Sequence, residues 1–228
     1  MLLKALAEDL LPESALVLRG RDGRRRPLSS LRGELLGQRR SAIPGRVALT
    51  FDDGPTALTP RLLEVLAELG VRCTFFVIGE LCAARPDLVQ AIAEGGHELA
   101  SHGYTHRRFT ALSRRELESE LSRTRALLPR PSTARPLVRP PYGSISPYSL
   151  LICAQRGFTT VLWSLNSCDW RLQDAGAVAR ATLTQPATPG EILLFHEGQA
   201  WTLDALPAIV GGLRQAGHEL VTVGELLA

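Results

Sequence analysis

The stretch Arg46-Val47-Ala48-Leu49-Thr50-Phe51-Asp52-Asp53-Gly54-Pro55 decides how this chain is read. Val47 to Phe51 is an almost unbroken apolar run, the pattern of a parallel strand covered on both faces. It runs directly into two carboxylates and a Gly-Pro turn. Carboxylates crowded into one place repel each other and resist ionising. The arrangement makes sense if a cation binds one and leaves the other free to move protons. Later in the chain, His102 and His106 form a His-x3-His pair, a spacing that suits a metal. One carboxylate and two imidazoles are thus available to a divalent ion, with Asp52 left over as a general base.

Outward from this strand one unit recurs: helix, glycine, short apolar strand. It is seen in Glu68-Leu69-Gly70-Val71, Glu94-Gly95-Gly96-His97, Gln155-Arg156-Gly157-Phe158 and Gln215-Ala216-Gly217-His218. Glycine sits just past helix ends because it accepts the left-handed conformation. Thr59-Pro60 and Ser146-Pro147 each place a capping hydroxyl before a first-turn proline, and Ser113 with Glu116 reads as a capping box. The expected strands are Val47–Phe51, Val71–Ile78, Glu98–Ser101, Leu137–Arg139, Phe158–Trp163, Ile192–His196 and Glu219–Val223. This alternation gives the α/β class as a distorted (β/α)7-type barrel, with an open doubly wound sheet as the second architecture. No GxGxxG follows the first strand, so a dinucleotide site has no support. Asp52, Asp53, His102, Arg139, Asn166 and His196 all fall at or just after strand ends, which converge on one face of a β/α barrel. His97 and His218 instead follow helix-ending glycines and enter strands, and read as structural.

At 228 residues, one domain with a substantial core is the natural reading, and 45% hydrophobic with 21% charged residues is ordinary for a soluble globular protein. A net charge of +3 is too mild to imply nucleic acid as a partner. The charge is uneven: nine arginines lie between Arg19 and Arg46, against Asp22 and Glu34 alone. Residues 1–44 are therefore set apart as an arginine-rich N-terminal extension, with a short helix over Leu2–Leu11, and residues 45–228 as the domain. The extension reads as a solvated, mobile arm, or as one that lies on an anionic polymer or membrane surface. No apolar run reaches the length of a membrane span. Glu8 and Asp9 interrupt the start too early for a signal peptide, so the chain as written reads as cytoplasmic or as lacking a leader. Cys73, Cys82, Cys153 and Cys168 show no CxxC spacing and read as buried thiols.

Taken singly, an Asp-Asp-Gly-Pro run is also the composition of a turn, and His102 to His106 that of a surface loop. Five segments occur together, however: Thr50 to Pro55, His102-Gly103-Tyr104-Thr105-His106, Arg139-Pro140-Pro141-Tyr142, Asn166-Ser167-Cys168-Asp169-Trp170 and Leu194-Phe195-His196. In this order they strongly resemble the polysaccharide deacetylases of carbohydrate esterase family 4, the NodB-homology domain. The resemblance covers Arg46 to Val223, and is very specific for family but much less so for substrate.

The resemblance implies a hydrolase that removes acetyl groups from N-acetylglucosamine-type polysaccharide, peptidoglycan first and chitin oligosaccharide second, releasing acetate. It implies one divalent metal, zinc first and cobalt or another first-row ion next, held by Asp53, His102 and His106. Asp52 is then the general base, and Arg139 holds it in place and ionised. The backbone N–H of Tyr142 stabilises the oxyanion. His196, from the opposite side of the cleft, protonates the leaving nitrogen. Tyr142, Trp170 and Leu194 contact the substrate, the last two around the acetyl methyl.

One position departs from the family pattern. The fourth motif usually opens with an aspartate that hydrogen-bonds the catalytic histidine, and Asn166 stands there. An amide orients an imidazole without offsetting its charge, so a lowered His196 pKa is expected unless the loop brings Asp169 close. Other functions remain open: an O-acetyl xylan esterase, a small-amide or imide hydrolase, or a non-catalytic sugar-binding module. A facial-triad iron oxygenase fits the ligand types but not the alternation of strands with helices. By family analogy the location would be the cell envelope or outside the cell. Oligomeric state has no signature in the chain.

Overall fold

The computed structural model describes residues 17–19, 25–27, 45–131, 135–185 and 187–228. β1 (Val17–Arg19) and β2 (Arg25–Pro27) pair antiparallel. The rest of the N-terminal extension, with the expected helix over Leu2–Leu11, lies outside the described residues.

From Arg46 the chain alternates as expected. β3 (Arg46–Gly54) leads to α1 (Thr59–Leu69), β4 (Thr74–Val77), α2 (Gly79–Ala84), α3 (Pro86–Glu94) and β5 (Glu98–Ser101). α4 (Arg114–Leu127), β6 (Leu137–Val138), α5 (Pro147–Gln155), β7 (Thr159–Thr160) and β8 (Leu165–Asn166) follow. α6 (Asp169–Leu172), α7 (Ala175–Leu183), β9 (Ile192–His196), α8 (Ala200–Gln215), β10 (Glu219–Val221) and α9 (Val223–Leu226) complete the chain. Eight strands form a parallel sheet in the order β7-β6-β5-β4-β3-β9-β8, with β10 beside β3.

The sheet curls into a distorted barrel, and the connection between its two ends explains how. β7 and β8 are the outer members of the strand order, yet only residues 161–164 separate them in the chain. The Val161 N–H donates to the Val138 carbonyl at 2.9 Å, and the Ser164 N–H donates to the Ile192 carbonyl at 3.0 Å. Within three residues the backbone thus changes partners from one end of the sheet to the other. The expected strand Phe158–Trp163 is split for this reason, and the short strand Leu165–Asn166 was not foreseen. The Arg139 Nη2 donates to the Leu162 carbonyl at 3.2 Å inside this crossing.

Period-two alternation separates the two faces of the barrel wall. Val47, Leu49 and Phe51 join Phe75, Leu193 and Phe195 in a core against α1, α7 and α8. Ala48, Phe76, Ala100 and Ile192 instead fill the interior with Leu137, Val161 and Val221. A third cluster, including Leu117, Leu121, Ile152 and Phe158, packs α4 and α5 on the outside. Among the described residues no helix is long and apolar enough to cross a membrane.

The capping boxes at Ser113 and Ser146 form as expected, and Gly70 ends α1 at φ 60°. Thr59 does not cap α1; that position falls to Leu58, which makes no side-chain cap bond. The Thr59 hydroxyl donates instead to the buried Glu197 carboxylate and accepts the Thr56 N–H at 2.8 Å. A buried carboxylate needs a donor more than an exposed helix end needs a cap.

His97 is structural, as expected: its Nδ1 accepts the Cys73 N–H at 3.2 Å, and its ring meets Phe75 edge-on. Burial, with Arg72 beside it, pushes the His97 imidazole down to about 4 from an ordinary 6.5. The unfolded chain therefore binds more protons in that window, and the stability this site contributes is lost as pH falls from about 6.5 to about 4. Asn can accept the same N–H without titrating. Urea unfolding across this window is expected to show a shallower loss of stability on acidification in His97→Asn than in the wild type. An equal slope would remove His97 as a source of the acid sensitivity.

Candidate functional site

Asp52 and Asp53 should point to opposite faces of a regular strand. They do not, because β3 carries a bulge. Asp52 pairs with Phe76 and Gly54 with Val77, so Asp53 is the unpaired residue, held at a positive φ of 71°. A bulge re-aims a side chain in this way. Gly54 is required beside it, since a Cβ there would lie 1.6 Å from the Glu197 Oε1.

Two imidazoles converge on the Asp53 side chain. Its Oδ1 lies 3.0 Å from the His106 Nε2 and 3.5 Å from the His102 Nε2. The three potential ligand atoms all lie within 4.8 Å of one another. The His102 Nδ1 is 2.7 Å from the Arg139 carbonyl, which can only accept, so Nδ1 carries the proton and Nε2 presents a lone pair to Asp53. Burial lowers the His102 pKa, against the pull of Asp52 and Asp53, which favours this neutral ring. Burial raises the Asp53 carboxyl, but His106, His102 and His196 together bring it below its ordinary value. The Asp53 Oδ1 is buried without a hydrogen-bond partner of sound geometry. Acceptor atoms that face one another, one of them an orphaned carboxylate oxygen, fit a divalent cation; carboxylate and imidazole donors suit first-row ions.

The Asp52 Oδ2 lies 3.7 Å from the His102 Nε2, and its other oxygen is held by an arginine. Arg139, 0% exposed, donates from Nη1 to the Asp52 Oδ1 at 2.7 Å and to the Thr50 hydroxyl at 2.8 Å. Its guanidinium lies 4.0 Å from the centre of the Phe76 ring. Burial lowers the Arg139 pKa, and the Asp52 charge and hydrogen bond oppose that shift.

On the neighbouring strand, His196 is the register partner of Asp52, in a series with Thr50 opposite Leu194. The two side chains therefore rise from adjacent strands, and β5, which leads into His102, lies on the other flank of β3. The His196 Nδ1 is 2.7 Å from the Asp169 Oδ1, and the His196 backbone N–H donates to the Asp169 Oδ2 at 2.8 Å. Trp170 N–H and the Thr202 hydroxyl also donate to this carboxylate, at 2.9 Å each. Burial works against protonation of His196, yet Asp169, with Asp52 and Asp53, raises its pKa overall.

This corrects the expectation for Asn166. The Asn166 Oδ1 accepts the Cys168 N–H at 2.8 Å, two residues on, in the manner of an Asx turn. With Cys168 at φ 55°, that turn delivers Asp169, not Asn166, to the histidine. With Asp169 brought close, the His196 pKa rises above its ordinary value.

Trp170 is 54% exposed and Tyr142 57% exposed. Tyr142 sits at φ 60° with its hydroxyl 3.3 Å from the His106 Nδ1. Leu194 is buried, on the same strand face as Ile192 and His196. Glu197 escaped the sequence reading, although a carboxylate directly after the strand-end histidine was its signal. Burial raises its pKa to about 7.

A family model described as polysaccharide deacetylase matches residues 39–161. A peptidoglycan-N-acetylglucosamine deacetylase, PgdA, of Listeria monocytogenes is 34% identical over 183 residues, which is 79% of this chain and 38% of that protein. The chain thus spans well under half of that relative. A chitooligosaccharide deacetylase of Sinorhizobium fredii is 40% identical over 155 residues, covering 67% of this chain and 72% of that one. The structure of a family 4 carbohydrate esterase from Streptomyces lividans in complex with acetate superposes with a TM-score of 0.71 at 35% identity, covering 78% of this chain and 91% of that one.

Removing one member of a buried ion pair strands the other. Arg139→Met is expected to cost about 3–5 kcal/mol in denaturant unfolding, and Arg139→Met with Asp52→Asn to recover part of that loss. A double variant no more stable than Arg139→Met would show that the two groups are not coupled.

Proposed function

We propose that this chain, which belongs to the polysaccharide deacetylase family, hydrolyses the acetamido group of N-acetylglucosamine residues in a peptidoglycan or chitin-like glycan. The products are acetate and a free amine. The observation that carries this reading is the register pairing of Asp52 with His196 beside the convergent Asp53, His102 and His106. A proton acceptor, a proton donor and a cation site then share one strand-end face. The activities named for the relatives, with the exposed Trp170 and Tyr142, support an amino-sugar polymer as substrate.

Asp53, His102 and His106 would hold the cation, zinc first and cobalt next by donor type. The chemistry such an ion supplies when bound is polarisation of the acetyl carbonyl and acidification of a water molecule. Asp52 takes a proton from the attacking water as the water oxygen bonds to the acetyl carbon. Arg139 fixes the Asp52 carboxylate through Oδ1. The Tyr142 N–H donates to the carbonyl oxygen as it gains charge. The Asp169 carboxylate accepts from the His196 Nδ1, leaving Nε2 to pass its proton to the departing nitrogen as the C–N bond breaks. Trp170 and Leu194 form the wall for the acetyl methyl.

Acetate release should be screened by mass spectrometry on chitin oligosaccharides, peptidoglycan fragments and acetylated xylan, with zinc- or cobalt-loaded protein. Release from the N-acetylglucosamine substrates is expected, lost on chelation and reduced about 10²- to 10⁴-fold in Asp52→Asn. Release from xylan alone would replace the amide substrate by an ester.

The pH dependence follows from His196. A donor must be protonated, so activity falls as pH rises through its pKa, and Asp169 raises that pKa. Asp169→Asn is expected to move the basic limb of the pH–rate profile to lower pH, whereas Asn166→Asp leaves it in place. The reverse pattern would return Asn166 to the role first expected of it.

A further inference from the structure

We infer that Glu120 is a positioning residue for the imidazole pair: its buried carboxylate fixes the loop between His102 and His106 and so sets the affinity of the cation site. The inference rests on the proposed function, for which that site is needed. α4 turns Leu117, Glu120, Leu121 and Thr124 inward on one stripe. Three of these suit a covered helix face. Glu120 does not, yet it is only 6% exposed.

The reason lies in the loop above it. The Glu120 Oε2 accepts the Tyr104 N–H at 2.6 Å and the Thr105 N–H at 2.8 Å. Its Oε1 accepts the Thr105 hydroxyl at 2.6 Å. These short, charge-assisted bonds use the amides of two of the three residues between the histidines. On the other side, the Gly79 N–H donates to the Gly103 carbonyl and the Glu80 N–H to the Tyr104 carbonyl, each at 3.0 Å. The Arg123 guanidinium lies 3.5 Å from the centre of the Tyr104 ring. Gly103, at φ 79°, brings the backbone so close that a Cβ would stand 3.2 Å from the Glu120 Oε2. Every residue of the connection is therefore tied down before the chain reaches His106 at φ 57°. His106 carries its Nε2 to 3.0 Å from Asp53, and a loose loop would not hold that backbone conformation.

A glutamate that only stabilised the fold would change melting temperature and leave metal affinity alone. Gln separates the two roles and also controls for charge. Its carbonyl oxygen can accept both amide hydrogens, while its NH2 donates to a Thr105 hydroxyl that turns to accept. Ala keeps none of the three contacts.

The test is Zn2+ affinity, measured by competition with a chromophoric chelator, with the visible spectrum of the Co2+-loaded protein alongside. Glu120→Ala is expected to bind Zn2+ about 10- to 100-fold more weakly, with an altered Co2+ spectrum, and Glu120→Gln to bind close to wild type. If circular dichroism shows that Glu120→Ala does not fold, Thr105→Val carries the comparison; it loses only the hydroxyl contact and should weaken binding by about tenfold or less. Wild-type affinity in the Ala variant, or in Thr105→Val where Ala fails to fold, would overturn the inference. So would a Gln variant as weak as Ala, which would assign the effect to charge. A wild-type protein that binds no Zn2+ would overturn the cation site itself, and the inference with it.

Discussion

A strand sends consecutive side chains to opposite faces, and the whole site depends on one residue escaping that rule. The bulge at Asp53 brings two neighbouring carboxylates to the same imidazole, His102, while their other partners differ. Asp52 is bonded to Arg139 through Oδ1, with its Oδ2 3.7 Å from the His102 Nε2, and Asp53 faces both imidazoles. A regular strand would send one of them into the apolar layer with Phe51 and Phe75. The positive φ at Asp53 is the local strain that this placement entails, and the absence of a Cβ at Gly54 leaves room for Glu197.

The surrounding structure over-determines that placement. Arg139 is buried beneath the site, bonded to Asp52, Thr50 and the backbone of the crossing segment at Leu162. One side chain thus joins the first strand of the barrel to the segment that links its two ends. A buried ion pair is weak evidence for stability, because desolvation offsets much of the attraction. Its more direct effect is geometric: Asp52 faces one way, and the strand-end rim has one shape. Across the register, Asp169 plays the matching part for His196, and Glu120 for the loop that carries the histidine pair. Asp52, His196 and the loop between the imidazoles are thus each backed by a buried side chain with the opposite hydrogen-bonding character.

Much of this was legible in the sequence. Glu98–Ser101 and Ile192–His196 match the expected strands end for end, because a glycine-marked helix end or turn precedes each and a polar site residue marks its far end. Asp52, Asp53 and His102 do come together, with His196 the register partner of Asp52, whereas Asn166 turns to its own loop. What was not legible is tertiary. The split of Phe158–Trp163 into two short strands follows from a change of hydrogen-bond partners across the barrel, which no local pattern records. Asp169 rather than Asn166 meets His196 because an Asx turn and a left-handed Cys168 set the reach of the loop. Glu120 carried a signal that went unread: a carboxylate on the apolar stripe of its helix.

The central claim is that the bulged aspartate and the paired imidazoles share one ion while the other aspartate stays on its arginine. Anomalous diffraction from crystals of the zinc-loaded protein tests it most directly. A single peak bonded to the Asp53 carboxylate and the Nε2 atoms of His102 and His106, with Asp52 still paired to Arg139, is the expected result. Zinc bound elsewhere, or bound by Asp52 with Arg139 displaced, would contradict it.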